Sequence, residues 1–160
     1  MFHLARETAK DFWEVEALYD LCFAPGREAL SSYRLREGAC AINNLCYVAR
    51  DFDGILAGAI RYWAVKIDNA KVLLLGPIAV HPTRQGEGLG SYLISESLSS
   101  ATLQGWQRVM LVGDAPYYGR FGFECLPNVK MPPPTNPSRI LGLALVADAW
   151  KGISGQVRGN

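Results

Sequence analysis

The sequence predicts one α/β domain over residues 1–160, built on a mixed sheet of six to seven strands flanked by helices. Hydrophobic residues make up 49% of the chain and charged residues 19%, which is typical of a globular domain with one core. Apolar periodicity gives the order β-α-α-β-β-β-α-β-α-β-β. The middle of this order favours antiparallel strands, whereas the strand–helix–strand connection over residues 72–112 requires a parallel pair.

The N-terminal half is expected to begin with a strand followed by two helices. Thr8 and Asp11 form a variant capping box, and apolar residues then recur at i, i+3, i+4 and i+7 from Val15 to Cys22. Residues 24–26, Ala-Pro-Gly, end this helix, and a shorter second helix is predicted over residues 28–36.

Three strands are predicted next, at residues 45–50, 55–67 and 71–80. A hairpin turn signal, Asp-Phe-Asp-Gly at residues 51–54, separates the first two. The third strand, K-V-L-L-L-G-P-I-A-V, shows no polar alternation, so both of its faces should be covered. Gly76-Pro77 within it predicts a bulge, because Pro77 cannot donate to a ladder.

The C-terminal half continues with a helix over residues 88–103, a buried strand over 106–112 and a helical turn over 115–119. Asp114 before Pro116 is typical of a helix N-cap. A strand is expected at 121–125, which would end a motif core at 72–125. A proline-rich crossing loop at 131–137 and a C-terminal strand and tail at 138–160 complete the prediction.

Composition argues against several classes of protein. Sixteen basic and fifteen acidic residues leave a net charge of +1, which supports binding neither to nucleic acid nor to an anionic membrane. Uncharged runs are shorter than the roughly 20 residues of a membrane span, and the N-terminus does not resemble a signal peptide. Four cysteines without CxxC spacing and two histidines predict reduced, mostly buried thiols in a cytoplasmic protein, with no metal site. An oligomer is possible but has no support in the sequence.

The turn between the third strand and the following helix is the most informative segment. Residues 80–90 read V-H-P-T-R-Q-G-E-G-L-G, and alternate glycines allow a ligand to approach the backbone closely. The first helix amides lack intrahelical acceptors and carry partial positive charge, so the segment predicts a phosphate cradle to which Arg84 can add a contact. Ser91 replaces the third glycine of a dinucleotide motif, and the lysine of a P-loop is absent. A glycine-rich turn that merely redirects the chain is the alternative.

Two motifs resemble the GNAT superfamily of acyl-CoA-dependent N-acyltransferases. Residues 85–90, Q-G-E-G-L-G, match its Q/R-x-x-G-x-G/A signature, and residues 118–123, Y-G-R-F-G-F, match its Y-x-x-x-G-F element. The residues around the second motif and the tail at 152–158 resemble the bacterial YhbS-like branch of this superfamily. The resemblance implies acetyl-CoA as co-substrate and a gap between the strands at 71–80 and 106–112 that receives its thioester.

The resemblance also implies roles for individual residues. Tyr118 would be the general acid near the CoA sulfur, the amide near Val80 an oxyanion donor, and Asp114 a further cofactor contact. Tyr117 is expected to be aromatic core. The cofactor would contact the backbone of the glycine turn through its pyrophosphate (Gln85, Gly86, Glu87, Gly88, Leu89, Gly90) and the strand end through its pantetheine (Ile78, Ala79, Val80).

The sequence departs from the family pattern at two places. Leu111 stands where many members carry asparagine, and residues 72–75 offer no carboxylate as general base. The resemblance places the acceptor loop at residues 23–32, where Arg27 and Glu28, with Tyr33 just beyond, indicate a polar acceptor with some aromatic contact. The remaining candidate bases are not ranked by the sequence (Glu28, Glu37, Asp68), and His81, beside Pro82 at the end of the strand, suits a structural role better than that of a base.

The predicted function is therefore acetyl transfer from acetyl-CoA to the primary amine of a small molecule or peptide, by direct attack. The missing strand carboxylate keeps a second hypothesis open, a non-catalytic module that binds or senses acyl-CoA.

Overall fold

The computed structural model describes residues 2–23, 35–36 and 39–159. Its helices are α1 (Phe12–Cys22), α2 (Leu89–Leu103) and α3 (Ala115–Tyr118). Its strands are β1 (His3–Arg6), β2 (Cys40–Ala41), β3 (Tyr47–Arg50), β4 (Leu56–Ile67), β5 (Ala70–Val80), β6 (Arg108–Val112), β7 (Glu124–Cys125), β8 (Val129–Lys130), β9 (Ile140–Ala144) and β10 (Gly155–Gly159).

One mixed sheet organises the described chain, in the order β1-β3-β4-β5-β6-β9-β7. Strands β2 and β10 also pair with β4, and β8 pairs with β10. The middle strands β3, β4 and β5 are antiparallel, and β5 and β6 are parallel across the α2 connection, as predicted. The sheet contains ten described strands, more than the six to seven expected; seven of them have four or more residues, and the other three have two residues each.

A 3₁₀ turn at Ala9–Asp11, which carries the predicted capping box, leads into helix α1, and α1 buries its apolar stripe as the sequence predicts. The Thr8 amide donates to Asp11 Oδ2 at 2.8 Å, which closes the capping box. Val15, Leu18 and Tyr19 are buried against the sheet. Of the predicted second helix, residues 35 and 36 are helical, and the remainder lies outside the described residues. The predicted acceptor-loop and base candidates in that stretch also lie outside them (Arg27, Glu28, Tyr33, Glu37).

The predicted bulge in β5 is confirmed. The β4–β5 register passes from Ile60 opposite Ile78 to Tyr62 opposite Leu75, so Gly76 and Pro77 share one position on the partner strand. The Trp63 indole donates to the Gly76 carbonyl at 2.7 Å, and the Tyr19 hydroxyl donates to the Pro77 carbonyl at 3.0 Å. These two bonds hold the bulge from outside the strand ladder.

Side chains of β5 are buried on both faces of the sheet. Leu73 and Leu75 belong to the cluster that packs under α2, whereas Val72 and Leu74 belong to the cluster on the opposite face. Burial on both faces therefore explains why polar residues do not alternate along this strand, as predicted. Ser97 lies in the buried face of α2, where its hydroxyl bonds to the Tyr62 hydroxyl at 2.7 Å.

Some expectations are wrong in detail. The strand predicted over residues 121–125 is limited to Glu124–Cys125, because Gly119–Phe121 forms a 3₁₀ turn and Gly122 takes a φ of 94°. Cys40 and Cys125 are exposed, so the thiols are not mostly buried. Within the described chain, every helix is too short or too polar to span a membrane.

Candidate active site

Strands β5 and β6 part soon after they meet. Their parallel pairing is confined to Leu73 with Val109 and Leu74 with Met110. Beyond this point β6 remains paired with β9 as far as Val112, while β5 follows β4 to Val80. The bulge redirects β5 at the point where Pro77 has no amide to offer a neighbour, so a gap opens between the two strands.

Two adjoining cavities occupy this gap. The strand-gap cavity has a volume of about 580 Å³ and lies between Leu75–Ile78 on one side and Leu111–Asp114 on the other. The glycine-turn groove has a volume of about 470 Å³ and runs along residues 78–80 to the start of α2. Ile78 and Tyr117 line both cavities, so the two cavities adjoin at these residues.

The groove ends at the uncapped N-terminus of α2. Its N-cap is Gly88, with a φ of 80°, and no side chain bonds to the first-turn amides. Gly86 has a φ of 86°, also in the region that glycine favours. Leu89, Gly90 and Ser91 line the groove, so amides with no intrahelical acceptor and the positive end of a fifteen-residue helix lie against it. This end of the groove suits an anionic group.

Two arginines flank the same groove. Arg84 donates to Glu87 at 3.1 Å and to Asp51 at 3.0 Å, and its guanidinium lies 4.7 Å from the centroid of the Phe2 ring. Arg120 lies 4.2 Å above the Tyr117 ring. Arg84 is therefore fixed by its own ion pairs, and any phosphate contact it makes would be shared with two carboxylates.

The structure brings most of the predicted cofactor residues together. The groove is lined by Ile78, Ala79, Val80, Arg84, Gln85, Gly86, Gly88, Leu89 and Gly90. The side chain of Glu87 instead points to the Arg84 ion pair. Asp114 and Tyr118 line the strand-gap cavity.

Tyr118 lies at the wall of the strand-gap cavity within an aromatic cluster. Its ring is edge-on to Tyr117, with centroids 5.0 Å apart, and 6.0 Å from the ring of Phe123. Burial raises the pKa of the Tyr118 phenol to about 12, so the hydroxyl holds its proton at neutral pH. The site thus presents a protonated phenol to the cavity.

The described base candidates are Asp68 and His81, and Asp114 is the predicted N-cap and cofactor contact. Asp114 Oδ2 accepts from the Tyr117 amide at 3.0 Å, which confirms the predicted N-cap. Asp68 lies in the hairpin at the other end of β5, and neither cavity includes it. The amide of Thr83 donates to Nδ1 of His81 at 3.2 Å, as expected of a structural histidine. No three His, Cys, Asp or Glu side chains of the described ranges cluster as metal ligands would.

Sequence reasoning missed several lining residues. Tyr117, expected to be core, packs on the core but also lines both cavities, with its hydroxyl facing Gly90. Its place beside Tyr118 in a one-turn helix is the signal that could have identified it. Arg36 and Arg139 line the strand-gap cavity, and Arg139 reaches it only because β9 pairs with β6.

Comparison with known proteins identifies the fold and the family. Residues 43–125 match the family profile of the acetyltransferase (GNAT) domain. The chain is 30% identical over 147 residues to the uncharacterized N-acetyltransferase YhbS of Escherichia coli strain K12, covering 89% of this chain and 87% of YhbS. It is 34% identical over 128 residues to the uncharacterized N-acetyltransferase YjhQ of the same strain, covering 77% of this chain and 68% of YjhQ.

Two solved structures are similar over almost the whole chain. The crystal structure of E. coli YhbS in complex with CoA has a TM-score of 0.83 and 28% identity, covering 99% of this chain and 89% of that one. A GNAT family acetyltransferase from Brucella melitensis in complex with acetyl-CoA has a TM-score of 0.73 and 28% identity, covering 100% of this chain and 96% of that one. The parted strands, the uncapped glycine turn and these matches together show that the chain belongs to the GNAT acetyltransferase family.

Proposed function

We propose that this protein transfers the acetyl group of acetyl-CoA to a primary amine by direct attack, with Tyr118 as general acid. The observation that carries the proposal is the position of the Tyr118 phenol. It lines the cavity between the parted strands, and that cavity adjoins a groove suited to a diphosphate. The similarity to proteins that bind CoA and acetyl-CoA supports the same assignment.

The chain's own backbone would hold the cofactor. The amides of residues 85–90 would donate to the diphosphate at the positive end of α2. The free edge of β5 at residues 78–80 would pair with the pantetheine arm as with another strand. The Val80 carbonyl already accepts from the Gln85 amide group at 3.3 Å and the Cys22 thiol at 3.4 Å, so the other main-chain groups of this edge would serve the cofactor.

Transfer requires a new C–N bond and the loss of the C–S bond. As the thiolate leaves with the electron pair of the C–S bond, it takes the proton of the Tyr118 hydroxyl, which is later replaced from solvent. A pKa of about 12 keeps the phenol protonated until that moment. The surroundings that bury the phenol also disfavour a bare thiolate and raise its proton affinity, which assists the transfer.

The attacking amine must lose a proton, and the described lining of the two cavities offers few groups that could accept it. Asp114 is the one carboxylate among their described lining residues, and it caps α3. We therefore assign deprotonation to water. The same observation favours one second candidate, a module that binds acyl-CoA without catalysis.

Replacement of Tyr118 by Phe tests the acid role. We expect Tyr118→Phe to lower turnover by roughly 10²–10⁴-fold, the usual contribution of a general acid, with acetyl-CoA affinity nearly unchanged. Turnover is measured as CoA thiol released over a library of amines, and affinity by calorimetry. Tyr92→Phe is the matched control, because Tyr92 is exposed on α2 and lines neither cavity.

Each outcome has a separate meaning. Unchanged turnover in Tyr118→Phe removes the acid role but not the acetyltransferase assignment. Absence of acetyl-CoA binding to the unmodified protein overturns the proposed function. Binding without CoA release from any amine selects the non-catalytic alternative.

A further inference from the structure

The charge of Arg84, on the glycine turn itself, is already more than neutralised. Its Nε donates to Glu87 at 3.1 Å, and its Nη1 donates to Asp51 at 3.0 Å. Asp51 also accepts from the amides of Asp53 and Ile55, so the hairpin turn fixes this carboxylate in place. Two carboxylates on one guanidinium leave one negative charge in excess, so this cluster does not attract a diphosphate.

Arg120 is the second cation on the glycine-turn groove. Arg84 and Arg120 are the two charged side chains among the described lining of this groove. The Nε of Arg120 donates to the Tyr117 carbonyl at 3.2 Å, and its side chain is exposed. Across residues 2–23, 35–36 and 39–159, no carboxylate forms an ion pair with Arg120. The Nη1 and Nη2 groups of Arg120 are therefore available to a ligand in the groove.

The side chain of Tyr117 connects Arg120 with the start of α2. The Arg120 guanidinium carbon lies 4.2 Å from the centroid of the Tyr117 ring. At the other end of this side chain, the Tyr117 hydroxyl lies 3.3 Å from the position that a Cβ on Gly90 would take. One aromatic ring therefore separates the guanidinium from the first turn of α2, and all three residues line the same groove.

We infer that Arg120 supplies the side-chain charge that binds the diphosphate of the cofactor. The inference rests on the proposed acetyl transfer, which places the diphosphate at the amides of residues 85–90, and adds a binding residue to it. A guanidinium offers paired N–H donors that match two oxygens of a phosphate group. Stacking on the Tyr117 ring uses the face of the guanidinium and leaves the donors at its edge free. Tyr117 thus holds Arg120 in an orientation that suits this contact.

Affinity for acetyl-CoA, measured by calorimetry, tests the inference. We expect Arg120→Gln to weaken binding roughly tenfold, as the loss of one charge-assisted hydrogen bond would give. Arg120→Lys keeps the charge but loses the paired donors, so it should weaken binding less than Arg120→Gln does. Arg158→Gln is the matched control, since Arg158 is also exposed and lies on β10, outside both cavities.

Three further measurements separate a diphosphate contact from other causes. Acetyl-dephospho-CoA lacks the ribose 3′-phosphate but keeps the diphosphate, so Arg120→Gln should lose the same factor in affinity for this ligand. Salt screens an exposed ion pair, so the difference in affinity between Arg120→Gln and the unmodified protein should shrink as salt rises from about 0.05 M to about 0.5 M. Because Arg120 is exposed, thermal unfolding should give Tm values within about 2 °C of each other for the two proteins.

The outcomes separate this inference from the proposed function. A loss of acetyl-CoA affinity in Arg120→Gln no larger than that in Arg158→Gln overturns the inference while acetyl transfer stands. A loss that vanishes with acetyl-dephospho-CoA overturns it in favour of a contact with the 3′-phosphate. A loss that salt does not diminish, or that accompanies a large fall in Tm, overturns it in favour of an indirect effect on the turn. Absence of acetyl-CoA binding to the unmodified protein overturns both proposals.

Discussion

Because Gly113 has no side chain, the ring of Tyr118 can lie directly against the backbone at this residue. A Cβ at residue 113 would lie 2.6 Å from Tyr118 Cε2 and 2.9 Å from Leu111 Cδ1. Ordinary carbon contacts are about 3.5–4.0 Å, so Gly113→Ala forces the aromatic ring to move by about 1 Å. The rings of Tyr117 and Phe123 also pack against that ring, with centroids 5.0 and 6.0 Å away, so it cannot move freely.

The size of the effect follows from this overlap. Overpacking of this kind costs about 1–3 kcal/mol of unfolding free energy, and each kcal/mol lowers Tm by about 2–4 °C for a chain of this size. A displacement of about 1 Å at a catalytic group can lower turnover by about 100-fold. We therefore expect Gly113→Ala to lower both Tm and the rate of CoA release, and to leave acetyl-CoA affinity nearly unchanged.

Gly119→Ala is the matched control in the same turn. An added Cβ there meets nothing within 4 Å, and the φ of −57° and ψ of −30° suit alanine. This variant should be as stable as the unmodified protein or more stable by up to about 1 kcal/mol. Thermal unfolding by circular dichroism and thiol detection of CoA measure both variants. If Gly113→Ala melts and turns over like Gly119→Ala, the reasoning about the Tyr118 ring is wrong.

Three further changes test other parts of the structure. Gly88→Ala places a side chain at a φ of 80°, which costs about 1–2 kcal/mol. Relief of this strain moves the amides at the start of α2, so calorimetry should show roughly tenfold weaker acetyl-CoA binding, and an unchanged affinity would contradict the cradle. Arg61→Gln removes a bidentate ion pair, at 2.9 and 2.8 Å, to the nearly buried Glu7. Urea unfolding should show that the unfolding free energy falls by about 3–5 kcal/mol and is partly restored when Glu7→Gln is added, and no restoration would refute the pairing. Hydrogen bonds from Arg50 lower the pKa of Glu14 from 4.5. A lowered carboxylate pKa gives stability that is present above the unfolded pKa and is lost as pH falls through the folded pKa. The unfolding free energy should therefore fall less between about pH 5 and pH 3 in Arg50→Gln than in the unmodified protein, and equal losses in the two proteins would contradict this.

Much of the site was predictable because its parts are local. The glycine turn, the cap at Asp114 and the bulge at Gly76-Pro77 each depend on residues within a few positions of one another. The strand predicted at 121–125 was too long, although the feature that shortens it is also local. Its β-favouring composition gave no sign that Gly119–Phe121 would continue the helical turn.

The sequence by itself determined the element order, the parallel crossover and the two motifs, since periodicity and turn chemistry act over short distances along the chain. Only the tertiary structure decided what faces the strand-gap cavity. Arg139 is brought beside Gly113 by the pairing of β9 with β6, and Arg36 is brought against Gly76 by packing. Register between distant strands depends on the burial of whole faces, so no local pattern could place these two charges together.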